Sequence, residues 1–152
     1  KMAAGYGGRD QSGVGRTLML FRIFSEIRRG AAAWSDAATI IPWTIYKVYG
    51  DKEMLAEQFP MMKNWVDYIH ARVSKNGLWQ SGFQYGDWLA LDIESGSTDR
   101  TGGTDKYLVA NAYYAYSTRI VRDAADALGY AEEAKAYGDL YEEIVEPFMW
   151  NT

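Results

Sequence analysis

Two short stretches pair a carboxylate with a tryptophan at the edge of an apolar segment: Ala33-Trp34-Ser35-Asp36 and Tyr85-Gly86-Asp87-Trp88. That pairing suits a sugar site, where an indole face packs on the apolar C–H side of a pyranose and a carboxylate takes the hydroxyls. A plainer reading stands beside it. Asp36 sits where a helix N-cap would sit, with Trp34 as the hydrophobic staple before it, and on position alone that reading is the stronger for Asp36. No helix start explains Asp87, so for Asp87-Trp88 the two readings are level. Glycoside hydrolysis needs two carboxylates across the scissile bond, one acid and one base or nucleophile. The loop-type acids are Asp36, Asp87, Asp92, Glu94 and Asp99, and nothing in their spacing pairs two of them.

Other chemistries fail on residue type. There is no Cys, which removes disulfides, thiolate zinc sites and a cysteine nucleophile. His70 is the single histidine and has no partner in sequence for a metal site or a triad. The segment from Asp92 to Asp99 is rich in oxygen atoms but lacks the alternating acids and terminal Glu of a calcium loop, so it reads as solvated loop. In the Gly-rich start, Asp10 stands where a phosphate-binding loop needs its first Gly, and no strand precedes it for a dinucleotide fingerprint. No metal and no cofactor are expected.

The composition narrows the partners. With 16 Lys+Arg against 20 Asp+Glu the net charge is -4, and no basic face is available to displace counterions from nucleic acid. No apolar run reaches the roughly 18 residues of a spanning helix, so no membrane partner is expected. Hydrophobic residues make up 48% of the chain, too many for a disordered one. Aromatic residues are abundant, with 6 Trp and 12 Tyr.

Helical elements must position these residues. Residues 4–15 are Gly-rich and aperiodic, and Leu18, Leu20, Phe21, Phe24 and Ile27 then predict one helix before Arg28-Arg29-Gly30. A second runs from Ser35 or Asp36 to Gly50 and is apolar all round, so it is expected to be buried on all sides. Pro42 predicts a kink or a late start in it. Leu55, Phe59, Met62, Val66, Ile69 and Val73 form a single stripe on the next, with a bend or break expected at Pro60. Residues 75–104 lose the period and mix aromatics with glycines, a stretch too aromatic for disorder and long enough to be functional. Helical pattern returns from Asp105 to Leu128, ends at Gly129, and resumes with Ala134, Tyr137, Tyr141, Ile144 and Phe148. Trp43, Trp65 and Tyr113, inside helices, are read as core packing.

A shift of 79 residues superimposes the two halves: Gly50 falls on Gly129, Leu55 on Ala134, Met62 on Tyr141, Val66 on Val145 and Ile69 on Phe148. A buried helix, a Gly turn and an amphipathic helix thus occur twice. The fold class expected is all-α, an αα-hairpin array forming part of an α/α toroid, because stacked hairpins need neighbours to cover their edges. The chain opens on Lys1 and stops at Met149-Trp150-Asn151-Thr152 without a tail, so a piece of a domain about three times as long is expected.

Several blocks, in order, resemble the bacterial α-L-rhamnosidases. They are Gly30-Ala31-Ala32-Ala33-Trp34-Ser35-Asp36-Ala37-Ala38, Ile41-Pro42-Trp43-Thr44-Ile45-Tyr46, Val48-Tyr49-Gly50-Asp51, Met62-Lys63-Asn64-Trp65-Val66-Asp67-Tyr68-Ile69, Gly82-Phe83-Gln84-Tyr85-Gly86-Asp87-Trp88-Leu89-Ala90-Leu91-Asp92 and Ala112-Tyr113-Tyr114-Ala115-Tyr116-Ser117. The resemblance covers residues 30–148. It divides the chain into a poorly matched segment 1–29 and a partial six-hairpin (α/α)6 glycosidase domain, 30–152. It implies hydrolysis of terminal α-L-rhamnose with inversion, a rhamnose-containing glycoside as substrate, and Trp34, Asp36, Asp87 and Trp88 as substrate-binding residues. The family's general acid lies in a Cys-Pro-Gln-Arg-Asp-Glu-type block and its base on a later hairpin; neither block occurs here. The expectation is therefore a fragment with no catalytic residue, inactive alone, with exposed flanks that favour self-association. Two other readings stay open: a non-catalytic carbohydrate-binding or structural helical module, and another six-hairpin glycosidase acting on a different sugar.

Overall fold

The computed structural model describes residues 30–90 and 102–150. The helix expected between Leu18 and Ile27, and the acids Asp92, Glu94 and Asp99, lie outside the described residues. Among the described residues four helices follow one another: α1 (Ala37–Tyr49), α2 (Lys52–His70), α3 (Lys106–Leu128) and α4 (Ala131–Trp150). They form two αα-hairpins. In addition to the contact inside each hairpin, α3 lies against both α1 and α2, more extensively against α2.

Local chemistry sets the ends of these helices. Asp51 accepts the Met54 N–H at 2.9 Å and so starts α2; Asp105 accepts the N–H groups of Tyr107 and Leu108 and starts α3. Gly50 and Gly129 end α1 and α3 in the left-handed region, at φ +69° and +84°. Two residues after each of these glycines the next helix begins, so the 79-residue repeat holds to the residue in the turns. No late start occurs at Pro42 and no break at Pro60: α1 runs through Pro42 from Ala37, and α2 is continuous at Pro60. Tertiary packing along both helices outweighs the lost N–H, and Pro42 itself is buried.

One core joins the four helices. Leu55, Met62, Trp65, Val66 and Ile69 of α2 meet Ala110, Tyr114, Ile120, Val121 and Ala124 of α3, with Tyr137 and Ile144 of α4 closing the other side. The stripe predicted for α2 is therefore the buried one, and Trp65 is core as expected. Its repeat partner behaves differently: Tyr141 and Val145 are only half-buried where Met62 and Val66 are sealed. Helix α1 also corrects its expectation. Ala38, Thr39 and Pro42 are buried, but Val48 and Tyr49 are 65% and 77% exposed and Ile41 is exposed as well. α2 and α3 cover one side of α1, and an all-round apolar helix needs cover on every side.

The matched turns give a direct test. A Cβ on either Gly50 or Gly129 meets nothing within 4 Å, so alanine there costs only the left-handed backbone conformation. Gly50→Ala and Gly129→Ala should each lower stability by about 1–2 kcal/mol, by equal amounts, read from urea denaturation midpoints.

Candidate functional site

A tight turn precedes α1. Ser35 N–H bonds to Ala31 C=O at 3.1 Å and Trp34 N–H to Ala32 C=O at 2.9 Å, folding residues 31–35 back on themselves. The fold-back requires Ala33 in the left-handed region at φ +65°, where a residue with a Cβ is strained. The turn buries Ala31, Ala32, Ser35 and Asp36 and puts Trp34 outside, 52% exposed. Trp34 is thus not the staple that its position suggested.

The irregular stretch after α2 is held by side-chain amides standing in for a missing ladder partner. Asn111 on α3 accepts the Trp79 N–H at 2.8 Å and donates to the Trp79 C=O at 3.1 Å, fixing Trp79 in the core beside Trp65. Gln84, also buried, accepts the Ala32 N–H through its Oε1 at 2.8 Å. That bond ties the second loop to the turn before α1. Sequence reasoning passed over both amides; the one available signal was a polar residue, Asn111, among the apolar positions of a helix.

The tie brings the two tryptophans together. Tyr85 stands between them, its ring centroid 5.6 Å from Trp34 and 5.5 Å from Trp88, with Phe83 edge-on at 4.8 Å. Trp88 is 43% exposed and Phe83 is exposed too, so the four rings form an outward-facing aromatic surface built from loops about fifty residues apart. Leu89, next to Trp88, is held in the left-handed region at φ +63°. Tilted and edge-on pairs such as these are the geometries aromatic quadrupoles favour.

The two acids are differently placed. Asp87 is half-buried at the base of its loop. Its Oδ2 accepts the Thr104 N–H at 3.3 Å and its C=O accepts the N–H groups of Ala90 and Gly102. A Cβ on Gly102 would run into this carboxylate and into Ala90, so only glycine permits the approach. The Thr104 hydroxyl, with the surrounding backbone N–H groups, holds the Asp87 carboxyl below its ordinary range. Asp87 Oδ1 and Gln84 Nε2 are buried with no hydrogen-bond partner among the described residues, one an acceptor and one a donor.

Asp36 lies deeper. It occupies the N-cap position of α1 with helical backbone angles, and its side chain makes no capping bond, which corrects the capping expectation. Its side chain is fully buried. Oδ1 accepts from Trp65 Nε1 at 2.7 Å and from Ser117 Oγ at 2.5 Å, and Oδ2 accepts the Ala33 N–H at 2.8 Å. Ser117 also lies 2.8 Å from the Thr39 hydroxyl, which donates to the Asp36 C=O. Burial pushes the Asp36 carboxyl up to about 6, against the opposing pull of these bonds. The structure therefore groups Trp34 and Trp88 around Tyr85, holds Asp87 against Thr104 and Gly102, and sets Asp36 beneath the turn, sealed from solvent.

His70 Nδ1 pairs with the Tyr114 hydroxyl at 3.0 Å. Among the described residues no group of three or more His, Cys, Asp or Glu side chains could hold a metal ion, and no helix is long and apolar enough to cross a membrane.

Residues 22–151 match the model of the bacterial α-L-rhamnosidase six-hairpin glycosidase domain, so the match takes in residues 22–29 as well as the blocks quoted above. An α-L-rhamnosidase of Alteromonas sp. (strain LOR) is 39% identical over 108 residues, covering 70% of this chain and 12% of that protein. One from Streptomyces avermitilis is 34% identical over 124 residues, covering 82% of this chain and 11% of that protein. This chain thus spans about one eighth of the length of the relatives it matches. Among solved structures, native α-L-rhamnosidase from Aspergillus terreus superimposes with a TM-score of 0.71 at 35% identity, over 80% of this chain and 14% of that one. The Streptomyces avermitilis α-L-rhamnosidase complexed with L-rhamnose gives 0.63 at 34% identity, over 78% and 10%.

The raised Asp36 carboxyl fixes the sign of a pH effect. Its folded-state value, about 6, exceeds the 3.8 of the free side chain, so the folded chain holds the proton more tightly than the unfolded one. Its contribution is greatest below the unfolded value and is lost as pH rises through about 6. Unfolding free energy should fall by about 2 kcal/mol from this group between pH 4 and 7. Asp36→Asn should remove that part of the pH slope in urea titrations at successive pH values.

Proposed function

The chain belongs to the bacterial α-L-rhamnosidase six-hairpin glycosidase family, and from that premise we propose that it is the sugar-stacking part of a hydrolase that removes terminal α-L-rhamnose with inversion. The observation that carries the proposal is the meeting of Trp34 and Trp88 across Tyr85 on an exposed surface. Rhamnose is a 6-deoxy sugar, with a methyl group and C–H faces that gain from indole contact, and its hydroxyls need directed polar groups. Asp87 lies at the edge of the rings, with its Oδ1 and Gln84 Nε2 as the unmatched acceptor and donor nearest to hand. Asp36 supports the same surface from beneath.

Turnover needs an acid and a base on opposite sides of the glycosidic bond. Of the loop acids among the described residues, Asp36 is sealed by three hydrogen bonds and Asp87 is held ionised by its own loop. A carboxyl kept below its ordinary range is a poor proton donor near neutral pH. The acid block that the family resemblance implies does not occur in this sequence, and on that ground we assign both catalytic carboxylates to parts of the domain beyond this chain and expect the 152-residue protein by itself to be inactive. The exposed Ile41, Val48 and Tyr49 face of α1 would be covered by a further hairpin in the complete barrel, and in this chain alone it favours self-association.

Pure 152-residue protein should release no phenol from an aryl α-L-rhamnoside; saturable hydrolysis would place the carboxylates within this chain. In the complete hydrolase, Trp34→Ala and Trp88→Ala should each weaken inhibition by free rhamnose roughly tenfold, from about 0.5–1.5 kcal/mol of aromatic contact plus lost burial. An unchanged inhibition constant would remove that tryptophan from the site. Sedimentation velocity should show the isolated chain associating as its concentration rises, and a clean monomer would count against the uncovered-face reading.

A further inference from the structure

We infer that Asp36 is the positioning residue of the aromatic surface: its carboxylate clamps the strained turn at Ala33, and so fixes the direction of Trp34, without touching sugar itself. The inference rests on the reading of that surface as the rhamnose wall. Its geometry stands independently. The three donors on Asp36 come from three different elements, the Ala33 N–H of the turn, Trp65 Nε1 of α2 and Ser117 Oγ of α3. Thr39 closes the arrangement, lying against Ser117 and donating to the Asp36 C=O.

All three groups that reach the carboxylate donate, so an acceptor-only side chain matches them; a neutral amide would set a donor against one of them. Ala33 sits at φ +65° without being glycine, a conformation that persists only where neighbours impose it. The Ala33 N–H on Oδ2 is such a constraint. Trp34 is the next residue, and its backbone N–H is held in the same fold-back by Ala32 C=O. Release of Ala33 from the left-handed region would re-aim the indole relative to Tyr85, whose ring centroid lies 5.6 Å away. A cap at the surface would start α1 equally well, and Asp36 instead makes no capping bond.

The surroundings of Asp36 hold few other ionisable groups. On α2 the neighbour is Tyr68, stacked on Trp65 with the Arg72 guanidinium on its ring; on α3 it is Tyr114, whose hydroxyl bonds His70. His70 is exchanged for Gln in every protein tested, so that no imidazole contributes. The test is made on the full 152-residue chain labelled with 5-fluorotryptophan, the 6 indole resonances being assigned by single Trp→Phe replacements. The Trp34 resonance should titrate with a midpoint near pH 6. In Asp36→Asn that titration should vanish and the resonance should shift or broaden, while helix content by circular dichroism is kept.

A folded Asp36→Asn protein with Trp34 at its original position, or with the titration intact, overturns the inference. Should Asp36→Asn fail to fold, Ser117→Ala decides: it removes one donor and keeps the carboxylate, so a displaced Trp34 resonance supports the clamp and an unmoved one overturns it. The sugar reading is tested separately in the same samples by adding L-rhamnose. Absence of any response at Trp34 and Trp88 would remove the rhamnose wall, while the sugar-free spectra still decide the clamp.

Discussion

The three hydrogen bonds that converge on Asp36 are the constraint on which the rest of the described structure depends. A carboxylate taken out of water is costly unless donors replace the hydration it loses. Here an indole N–H, a hydroxyl and a backbone N–H do so, and no cation shares the site among the described residues. Each donor belongs to a different element, so α1, α2 and α3 have one mutual arrangement in which the charge is satisfied. Trp65 then extends that arrangement outward, stacked on Tyr68 and edge-on to Trp79. Burial raises the carboxyl towards neutrality and the bonds oppose it, a balance that leaves the group able to titrate at mildly acidic pH.

The same economy of polar contacts shapes the loops. The irregular residues 71–90 must satisfy their backbone groups without a sheet or a helix, and buried ones must find partners. Asn111 gives Trp79 both a donor and an acceptor, while Gln84 takes the Ala32 N–H. These amides do the work of a strand edge, and they connect the loop to the turn before α1. The exposed rings follow from this: Trp34 and Trp88 meet at Tyr85 because the backbones beneath them are tied.

The uneven burial of the repeat has a geometric origin. α2 and α4 occupy equivalent positions after equivalent glycine turns, yet Met62 and Val66 are sealed while Tyr141 and Val145 are half open. α2 lies between α1 and α3, whereas α4 packs chiefly on α3. Likewise α1, apolar on every side, is covered on one. In a closed ring of hairpins each helix has neighbours on both flanks, and about four fifths of this chain matches 10–14% of the chains of two solved α-L-rhamnosidases. The exposed apolar residues of α1 are thus the surface that a neighbouring hairpin would cover.

Much of the fold was legible in the sequence because its signals are local. Helix periodicity and glycine stops act within four or five residues, so the helix limits and the repeat between Gly50 and Gly129 could be read directly. Pro42 did not delay α1 and Pro60 did not break α2, since the packing that carries both helices through them is not local. The candidate site was legible in part. Trp34 and Trp88 were found by type and setting, but Tyr85 as their bridge, and Gln84 and Asn111 as the ties, were not. Asp36 shows the difference most clearly. Its position before a helix spelled a cap, and only tertiary structure placed it in a buried cluster with Trp65 and Ser117, 29 and 81 residues away. Local energetics decide where a helix begins; what a buried charge bonds to is decided by the elements that close around it.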